Sequence, residues 1–544
     1  MINQELSKIL SEIAVYLEME GESFKSRAYE KVAEAISAPS EEVSAIYSRG
    51  GLKLLENIPG VGLAIAEKIE ELLKTGQSKY HNELHEKFPV NLSELLSVEG
   101  LGPKRIKVLY EALKIRNLAD LETALNNESI SNLKGFGHTS CESLSKSLEF
   151  IKKSAGRFSL GEALPQARAL IDHFQKIPGV MKAEIVGSLR RFQETVGGID
   201  ILVVSNNPKI ILDYSSKLPV SVHVVSEASY GAALNYFTGS KNHNIALQKT
   251  VAEKGLKLNE NSLYKSEEEI YKILGMQYIP PELREMTGEI EAAQKNKLPQ
   301  PIELKDLKGD LQTQTNWTDG ANSILEMAEA AMKAGLEYIV ITDHTKRLAM
   351  THGLNEVRIL AQIKEINNLN AQFKAQNIKF RILSGSECDI LKDGTLDLPD
   401  EVLEKLDVVG VSVHSLFHLS REEQTRRVVK AMQNKHADIL FHPTGRLINK
   451  RPAYEIDIDE IIKVAAATGI VLEIDAFPDR LDLRDKHIRK CVTAGVKMSI
   501  DSDAHSVNHF SVLEYGVAQA RRGWAEKKDI VNARPVETML EMLK

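Results

Sequence analysis

The C-terminal half of the sequence repeatedly places an acidic residue or a histidine at the end of an apolar segment. The segments are "YIVITDH", "FRILSGSE", "VVGVSVH", "ADILFH" and "VKMSIDSDAH", and they end in His344, Glu387, His414, His442, Asp503 and His505. Apolar strands that alternate with helices are typical of a parallel barrel. The carboxyl ends of such strands meet at one mouth, where active sites are built. The pattern predicts a metal or phosphoester site there, whereas His418, His436 and His487 lack this placement.

Three similar segments nearer the N-terminus each place two glycines before an amphipathic helix. They read "IPGVGLAIAEKI", "VEGLGPKRIKVL" and "LKGFGHTSCESL". Such a turn exposes backbone N–H groups at a helix N-terminus and can hold a phosphate without a basic side chain. One copy alone would more often be an ordinary helical corner, but three copies favour binding to the DNA backbone and resemble helix-hairpin-helix motifs. The predicted DNA-binding residues are Gly60, Gly62, Gly100, Gly102, Gly135 and Gly137, with Lys104 and Arg105 as supplementary phosphate contacts.

The elements that must position these residues change along the chain. Residues 1–155 have apolar residues spaced by three and four, as in Ile65, Ile69 and Leu72, which predicts helices. Residues 156–230 contain short β-branched runs between turn residues and predict an α+β region. The segment "NKLPQPIELKDL" carries two prolines and predicts a linker over 296–307, after which strands and helices alternate.

The segment "VGSLRRFQETVGGIDILVV" (186–204) closely resembles the active-site segment of family X DNA polymerases. The resemblance implies three aspartates that hold two Mg²⁺ ions for phosphoryl transfer. Asp200 matches one of them, but Gly198 and Ser221 stand at the other two positions. Glycine offers no ligand, and a serine hydroxyl is a poor one for Mg²⁺. We therefore expect polymerase catalysis to be lost or much reduced and Mg²⁺ to bind poorly at Asp200.

The same resemblance implies a nucleotide site and a lyase residue. The segment "YGAALNYFTGSKNHN" (230–244) is similar to the family's nucleotide-binding segment, and the implied nucleotide-binding residues are Gly187, Ser188, Arg191, Tyr236, Phe237, Thr238, Gly239 and Asn244. They indicate either a vestigial nucleotide or DNA-end pocket or simple retention of the fold. Lys68 stands where the family has its Schiff-base lysine for removing a 5′ sugar phosphate; the alternative is a solvated helix lysine.

The C-terminal half resembles the polymerase-and-histidinol-phosphatase (PHP) domain, a distorted TIM-like α/β barrel that hydrolyses phosphoesters with up to three divalent metals. The implied metal ligands are Asp319, His344, Glu387, His414, His442, Asp503 and His505. Gln312 and Gln314 replace the family's His-x-His motif, so a first position keeps only Glu387 and Asp503. A second position (Glu387, His414, His442) and a third (Asp319, His344, His505) are complete and suit Zn²⁺ or Mn²⁺. Arg446, Asp479 and Arg480 match polar residues near the mouth, where they contact substrate phosphate or are ordinary surface charges.

Composition limits the function classes. The 544 residues predict about three to five domains, and 43% hydrophobic with 27% charged content indicates a globular chain. The net charge is −7, so contact with DNA must come from local features. Three separated cysteines do not make a disulfide framework. We see neither a signal pattern nor an apolar run of the ~18 residues that span a bilayer, and we expect a cytoplasmic protein without membrane contact.

The resemblance covers essentially the whole chain and implies a bacterial family X DNA polymerase with a fused PHP domain. We predict a multidomain chain with these parts: a lyase-like helical domain (1–80), helical fingers (81–155), an α+β nucleotidyltransferase palm (156–230), a thumb (231–295), the linker (296–307) and the PHP barrel (308–544). The expected role is gap filling or base excision repair, by a monomer that binds gapped or 3′-end DNA and dNTP, with a 3′–5′ exonuclease in the barrel. Two alternatives stay open. The protein is a non-catalytic DNA-end or gap-binding protein, or it is a working polymerase that recruits Glu194 or Glu227.

Overall fold

The computed structural model describes residues 3–37, 42–154, 156–216 and 218–543. The chain divides into two compact units, one of residues 1–155 with 449–452 and one of residues 156–448 with 453–544. The described residues of the first unit are helical, with short turns between the helices. Its α-helices are Asn3–Glu20, Ser23–Ser37, Val43–Gly50, Leu52–Leu55, Leu63–Thr75, Lys79–Lys87, Leu92–Leu95, Pro103–Leu113, Leu118–Asn126 and His138–Ser154.

The core of the helical unit consists of the apolar residues that recur at spacings of three and four. Ile65, Ile69 and Leu72 are buried on one face of Leu63–Thr75. Because one stripe of each helix is apolar, each helix gains stability by packing that stripe against its neighbours. The helices predicted for this region are confirmed.

The second unit begins with an α+β region, which we call the palm after the resemblance described above. Its strands are β1 (Phe158–Ser159), β2 (Val180–Val186), β3 (Thr195–Val196), β4 (Asp200–Ser205) and β5 (Ser221–Val225). The central sheet has the order β2-β4-β5, with β4 antiparallel to β2 and parallel to β5. The α-helices of this region and of the following thumb are Leu160–Gln175, Gly187–Arg190, Pro208–Ser215, Tyr230–Thr238, Lys241–Glu253, Glu267–Ile273 and Glu289–Gln294.

The C-terminal region is a barrel of parallel strands. Its strands are β6 (Gly309–Thr313), β7 (Tyr338–Ile341), β8 (Arg381–Asp389), β9 (Val408–Ser412), β10 (Ile439–Leu440), β11 (Val471–Asp475) and β12 (Met498–Asp501). They pair in sequence order, and a parallel bridge from Thr313 to Ala504 nearly closes the ring. The α-helices are Ile324–Lys333, Glu356–Ala375, Asp400–Leu403, Arg421–Met432, Ile458–Thr468, Asp485–Ala494, Leu513–Arg522 and Val536–Leu543. The predicted combination of a helical N-terminal region and a C-terminal α/β barrel is confirmed.

The palm packs directly on the barrel within this second unit. The barrel residues Leu481, Ile448 and Tyr515 are buried in the same apolar cluster as the palm strands. Arg168 of the palm makes two hydrogen bonds of 2.7 Å to the carboxylate of Glu514. The palm core is therefore completed by side chains from the barrel.

None of the helices in the described residues is both long enough and apolar enough to cross a membrane.

Candidate active sites

Glu387 lies at the centre of the barrel mouth and is contacted by three histidines. Its Oε1 lies 2.7 Å from His442 Nε2 and 3.0 Å from His414 Nε2. Its Oε2 lies 3.2 Å from His344 Nδ1. The side chains come from the carboxyl ends of neighbouring strands, β7 to β10, which is why residues far apart in sequence meet here.

A second cluster continues from His344 toward the end of β12. His344 Nε2 lies 3.5 Å from Asp319 Oδ2, and His505 Nε2 lies 3.7 Å from the same oxygen. Among the described residues, two groups have ligand atoms close enough to share a metal ion: Asp319 with His344 and His505, and His344 with Glu387 and His414. The first group is the predicted third position. The second group corresponds to the predicted second position, but it contains His344 in place of His442. His442 also contacts Glu387.

Burial and charge set the protonation of this cluster. Burial alone would raise the pKa of Glu387, but His344 and His414 hold it well below its usual range. Burial alone would lower the pKa of His414, whereas Glu387 and Asp389 raise it to about 9. Burial and the neighbouring Arg480 lower the pKa of His442. A divalent cation would compete with these protons, because metal ligands must be deprotonated.

The mouth contains more carboxylates than the sequence analysis identified. Asp389 accepts a hydrogen bond from the backbone N–H of His414 at 3.2 Å. Glu473 and Asp475 on β11 and Asp501 on β12 are fully buried. Each lies in an apolar strand segment such as "IVLEIDAF", and a charged residue inside a parallel strand is the signal that could have identified them.

The residues at the barrel mouth suit the second and third implied metal positions better than they suit the first. Gln314 Nε2 donates to Glu387 Oε2 at 3.1 Å, so this amide uses a carboxylate oxygen that a metal would need. Asp503 lies 3.5 Å from Arg480 Nε, and so it already has a cationic partner. Histidine and carboxylate groups are the donors that Zn²⁺ prefers, and the first position provides no imidazole.

In the palm, Asp200 begins β4 and lies opposite Ser221 on β5. Its carboxylate points toward the turn at Gly187, since a Cβ on Gly187 would lie 2.5 Å from Asp200 Oδ2. A Cβ at Gly198 would meet nothing within 4 Å, and Ser221 is exposed. Asp200 and Ser221 therefore pair on adjacent strands, whereas Gly198 lies in the bend just before β4, and the three positions carry a single carboxylate.

Several predicted nucleotide-binding residues contact protein groups. Arg191 Nε donates to Glu285 Oε1 at 2.8 Å, and Arg191 Nη1 donates to the carbonyl of Thr238. Asn244 Nδ2 donates to the carbonyl of Tyr236 at 2.7 Å. Phe237 stacks on His223, with the ring centroids 3.8 Å apart. His223 was not predicted; burial lowers its pKa, so a neutral ring is favoured in this stack.

The other predicted nucleotide-binding residues differ in exposure, since Gly187 and Ser188 are half-buried whereas Thr238 and Gly239 are buried. The Tyr236 side chain is 45% exposed, and Gly187 and Ser188 begin a short helix. A Cβ at Gly239 would lie 3.2 Å from Arg191 Nη1, so this glycine permits the close approach of the guanidinium. Glu194, one of the two proposed replacement carboxylates, pairs with Arg446 and Arg484 of the barrel. Glu227, the other, is exposed just after β5.

The three glycine hairpins of the helical unit have the same backbone geometry. The first glycine of each pair has positive φ: +82° at Gly60, +86° at Gly100 and +91° at Gly135. In each turn a backbone N–H hydrogen bond of 3.0 Å spans three residues, to the carbonyls of Ile58, Val98 and Leu133. The second glycines, Gly62, Gly102 and Gly137, come immediately before the helices. The third residue of each helix (Ile65, Arg105 or Ser140) donates its N–H to the carbonyl of the second glycine, so only the N–H groups before it are left for a phosphate, and Pro103 has none.

Two basic residues beside the second hairpin differ in their contacts. Lys104 is 79% exposed and lies 3.3 Å from Glu18, so it remains accessible to a phosphate. Arg105 donates to the carbonyls of Gly100 and Gly135 at 2.7 and 2.9 Å and lies over the Phe136 ring. Arg105 therefore joins the second hairpin to the third, which differs from the phosphate contact expected for it.

Lys68 is half-buried in the helix that follows the first hairpin. Its ammonium donates to the carbonyl of Ala64 at 3.2 Å and lies 4.9 Å from the centre of the Tyr80 ring. An amine over an aromatic ring is a favourable cation–π arrangement.

Comparisons with known proteins agree with this arrangement. Family models match a helix-hairpin-helix domain at residues 1–78, a SAM-like helix-hairpin-helix tandem at 92–149, a DNA polymerase beta thumb at 233–285 and a PHP domain at 310–476. The chain is 36% identical over 579 aligned residues to the DNA polymerase/3'-5' exonuclease PolX of Bacillus subtilis (strain 168), and the match covers 100% of both chains.

Shorter matches concern phosphatases. The chain is 30% identical over 194 residues to a probable phosphatase of Thermoanaerobacter sp. (strain X514), and the match covers 34% of this chain and 73% of the relative. It is 27% identical over 231 residues to a probable phosphatase of Syntrophotalea carbinolica, covering 41% and 89%. With the full-length match and the four matched domains, these findings show that the chain belongs to the family X DNA polymerases that carry helix-hairpin-helix motifs and a C-terminal PHP domain.

Proposed function

We propose that this protein processes DNA 3′ ends at gaps through its barrel site, as a 3′–5′ exonuclease or phosphoesterase, and that its palm no longer elongates DNA. The observation that carries the proposal is the contrast between the two sites. Glu387 lies within 3.2 Å of three imidazoles at the barrel mouth, whereas in the palm Asp200 lies opposite a serine and two residues after a glycine.

The barrel residues have separate tasks in such a reaction. Glu387 with His344, His414 and His442, and Asp319 with His505, would hold divalent ions such as Zn²⁺ or Mn²⁺. Bound there, these ions would polarise a phosphoester and lower the pKa of a water molecule. The Arg480 side chain is 21% exposed and can orient a phosphate oxygen from the rim of the mouth. The glycine hairpins would hold the DNA backbone through main-chain N–H groups.

The contacts in the palm support the loss of polymerisation. A single carboxylate cannot hold the pair of ions that clamps the attacking and leaving oxygens. Arg191, the residue matched to triphosphate binding, is already engaged by Glu285 and Thr238. A bound dNTP would have to break this ion pair, so nucleotide binding is weakened as well.

A second candidate is a non-catalytic protein that binds DNA ends or gaps. The observation in its favour is the pair Gln312 and Gln314, which removes two imidazoles from the first metal position. Both candidates use the same hairpins to hold DNA, so binding alone does not distinguish them. Shortening of a 3′ end does.

The test is a nuclease assay with the full chain on 5′-labelled DNA that carries a one-nucleotide gap, with Mn²⁺ or Zn²⁺. We expect stepwise shortening from the 3′ end, abolished by EDTA and reduced at least about a hundredfold in His414→Ala, because the residue contacts Glu387 directly. His418→Ala is the matched control, since His418 is an exposed histidine four residues further along the chain. If the wild type binds the gapped DNA but shortens it no faster than His414→Ala, the non-catalytic candidate is correct.

A further inference from the structure

A cavity of about 480 Å³ opens beside the barrel mouth, between the loops that follow β7 and β8. Its walls combine two basic side chains, Lys346 and Arg347, with the apolar side chains of Leu396, Leu398 and Pro399. Cavities of about 300–1,000 Å³ hold small organic ligands, so this one has room for a nucleotide. A wall of this mixed kind suits a nucleotide, because its phosphate is anionic and the faces of its sugar and base are largely apolar.

Arg347 connects this cavity to the metal-binding cluster. Arg347 Nε lies 3.7 Å from Asp389 Oδ2, and Asp389 Oδ1 lies 3.4 Å from His414 Nδ1. One carboxylate therefore separates the guanidinium from a histidine that contacts Glu387. Because each nucleotide advances a strand by about 3.4 Å along a duplex, a phosphate within about three nucleotides of the reacting bond lies in reach of Arg347.

The basic groups of the cavity are available to a ligand. The Arg347 side chain is 52% exposed, and its guanidinium donates no hydrogen bond to the part of the chain that the structure describes, since Asp389 is too distant for one. Its planar set of donors is therefore free for phosphate oxygens. Lys346 is 43% exposed and pairs with Glu356, which is 38% exposed. Such exposed pairs contribute little stability, so a phosphate can displace Glu356 from Lys346.

Asp397 holds the backbone on both sides of the cavity. Its carboxylate accepts hydrogen bonds from the Thr345 hydroxyl at 2.7 Å and from the Arg347 N–H at 3.0 Å, both in the loop after β7. It also accepts one from the N–H of Asp389, at the end of β8, at 3.2 Å. Asp397 itself lies in the loop after β8, so one buried carboxylate joins the two loops. The cavity is thus formed before a ligand enters, which lowers the entropic cost of binding.

We propose that this cavity holds a nucleotide of the DNA strand next to the reacting 3′ end, with its phosphate on Arg347 and Lys346, and so makes the barrel site prefer DNA to small phosphoesters. The inference rests on the proposed nuclease and adds the part of the substrate that the barrel recognises beyond the reacting bond. The basic side chains contact the backbone, which carries no sequence information, so the preference is for a polynucleotide of any sequence. Arg347 is a specificity residue in this arrangement, because it acts on a neighbouring phosphate and not on the reacting one.

The experiment compares two substrates with the full chain and Mn²⁺: a 5′-labelled single-stranded oligonucleotide, and bis-p-nitrophenyl phosphate, which has no neighbouring phosphate. In Arg347→Met, the ratio of kcat/KM for the oligonucleotide to kcat/KM for the small ester should fall about tenfold, because a charge-assisted contact with a phosphate is lost. The slope of log kcat/KM for the oligonucleotide against log salt concentration should become shallower by about 0.7, since one fewer counterion is released. Arg347→Lys keeps the charge and should keep most of the wild-type slope.

The matched control is Arg381→Met. Arg381 is 44% exposed and lies at the amino end of β8, away from the mouth, so its loss should change neither the ratio nor the slope. A purely structural role for Arg347 would slow both substrates equally and leave the ratio unchanged. That result, or hydrolysis of the small ester alone by the wild type, would overturn the inference. If the wild type hydrolyses neither substrate, the proposed nuclease is wrong and this inference is wrong with it.

Discussion

The clearest test of the reasoning about the palm is to restore its carboxylates. The double variant Gly198→Asp/Ser221→Asp places an acid at each position that lacks one. Both positions accept the larger side chain, because a Cβ at Gly198 meets nothing within 4 Å and Ser221 is exposed at the start of β5. Ser221 pairs with Asp200 on the adjacent strand, and neighbouring strands lie about 4.8 Å apart. Gly198 is two residues before Asp200, in the bend that enters β4, so both new carboxylates begin close to Asp200.

The expected gain follows from electrostatics. At an effective dielectric constant of about 20, two unit charges 4 Å apart attract by about 4 kcal/mol, and a divalent ion doubles this. Desolvation and side-chain ordering oppose much of the attraction, and a net gain of about 2 kcal/mol for each carboxylate remains. Because each 1.36 kcal/mol changes a rate tenfold, the pair should raise nucleotide incorporation about a thousandfold.

The assay is single-nucleotide gap filling on a 5′-labelled primer with Mg²⁺ or Mn²⁺, with His414→Ala in every protein to remove 3′ shortening. The isosteric control is Gly198→Asn/Ser221→Asn, which adds the same volume without charge and should not extend. Two results contradict the reasoning. Either the protein with an unchanged palm extends the primer within about tenfold of the double Asp variant, or the Asp and Asn variants extend equally slowly although the Asp variant binds two Mn²⁺ ions.

Three further predictions concern other parts of the chain. Gly60→Val and Gly100→Val should each weaken binding to gapped DNA about three- to tenfold in fluorescence anisotropy, because the exposed N–H groups of the hairpins become less accessible. The control Gly76→Val should leave DNA binding unchanged, since Gly76 also has a positive φ but lies at a helix end outside the hairpins. In the thumb, burial would raise the pKa of Glu267, but Arg284 and Arg190 lower it to about 2. This ion pair therefore stabilises the fold above about pH 4.5 and ceases to do so as the pH falls toward 2, and Glu267→Gln should cost about 3 kcal/mol at pH 7 and remove that acid dependence from thermal melts. Finally, Gly161→Val should displace Pro478, in the barrel loop after β11, and slow hydrolysis of bis-p-nitrophenyl phosphate about tenfold or more, since small misplacements of site residues are costly. The control is Gly197→Val, because a Cβ at Gly197 meets nothing within 4 Å. Equal rates in the two variants would contradict a role of the palm in holding this loop.

Local sequence patterns were sufficient for the elements and for most of the residues that meet at the barrel mouth. The apolar segments that end in His344, Glu387 and His414 each contain a parallel strand, and the named residue lies at its carboxyl end or just after it. Parallel strands bring their carboxyl ends together regardless of loop details. The glycine hairpins were equally predictable, because positive φ at Gly60, Gly100 and Gly135 is a local backbone requirement that glycine meets most easily. Such features depend on a few neighbouring residues and recur wherever those residues do.

The sequence also determined which metal ligands the palm and barrel sites lack. The absence of a carboxylate at Gly198 and of imidazoles at Gln312 and Gln314 is a fact of residue chemistry that no fold can change. Tertiary structure alone decided which charges are already engaged. Arg191 meets Glu285 across 94 residues of sequence, and Glu194 meets Arg484 across 290. The first of these pairs arises from the packing of the palm on the thumb and the second from its packing on the barrel. No local pattern encodes them, because their energy depends on the distance and burial of groups that only the folded chain brings together.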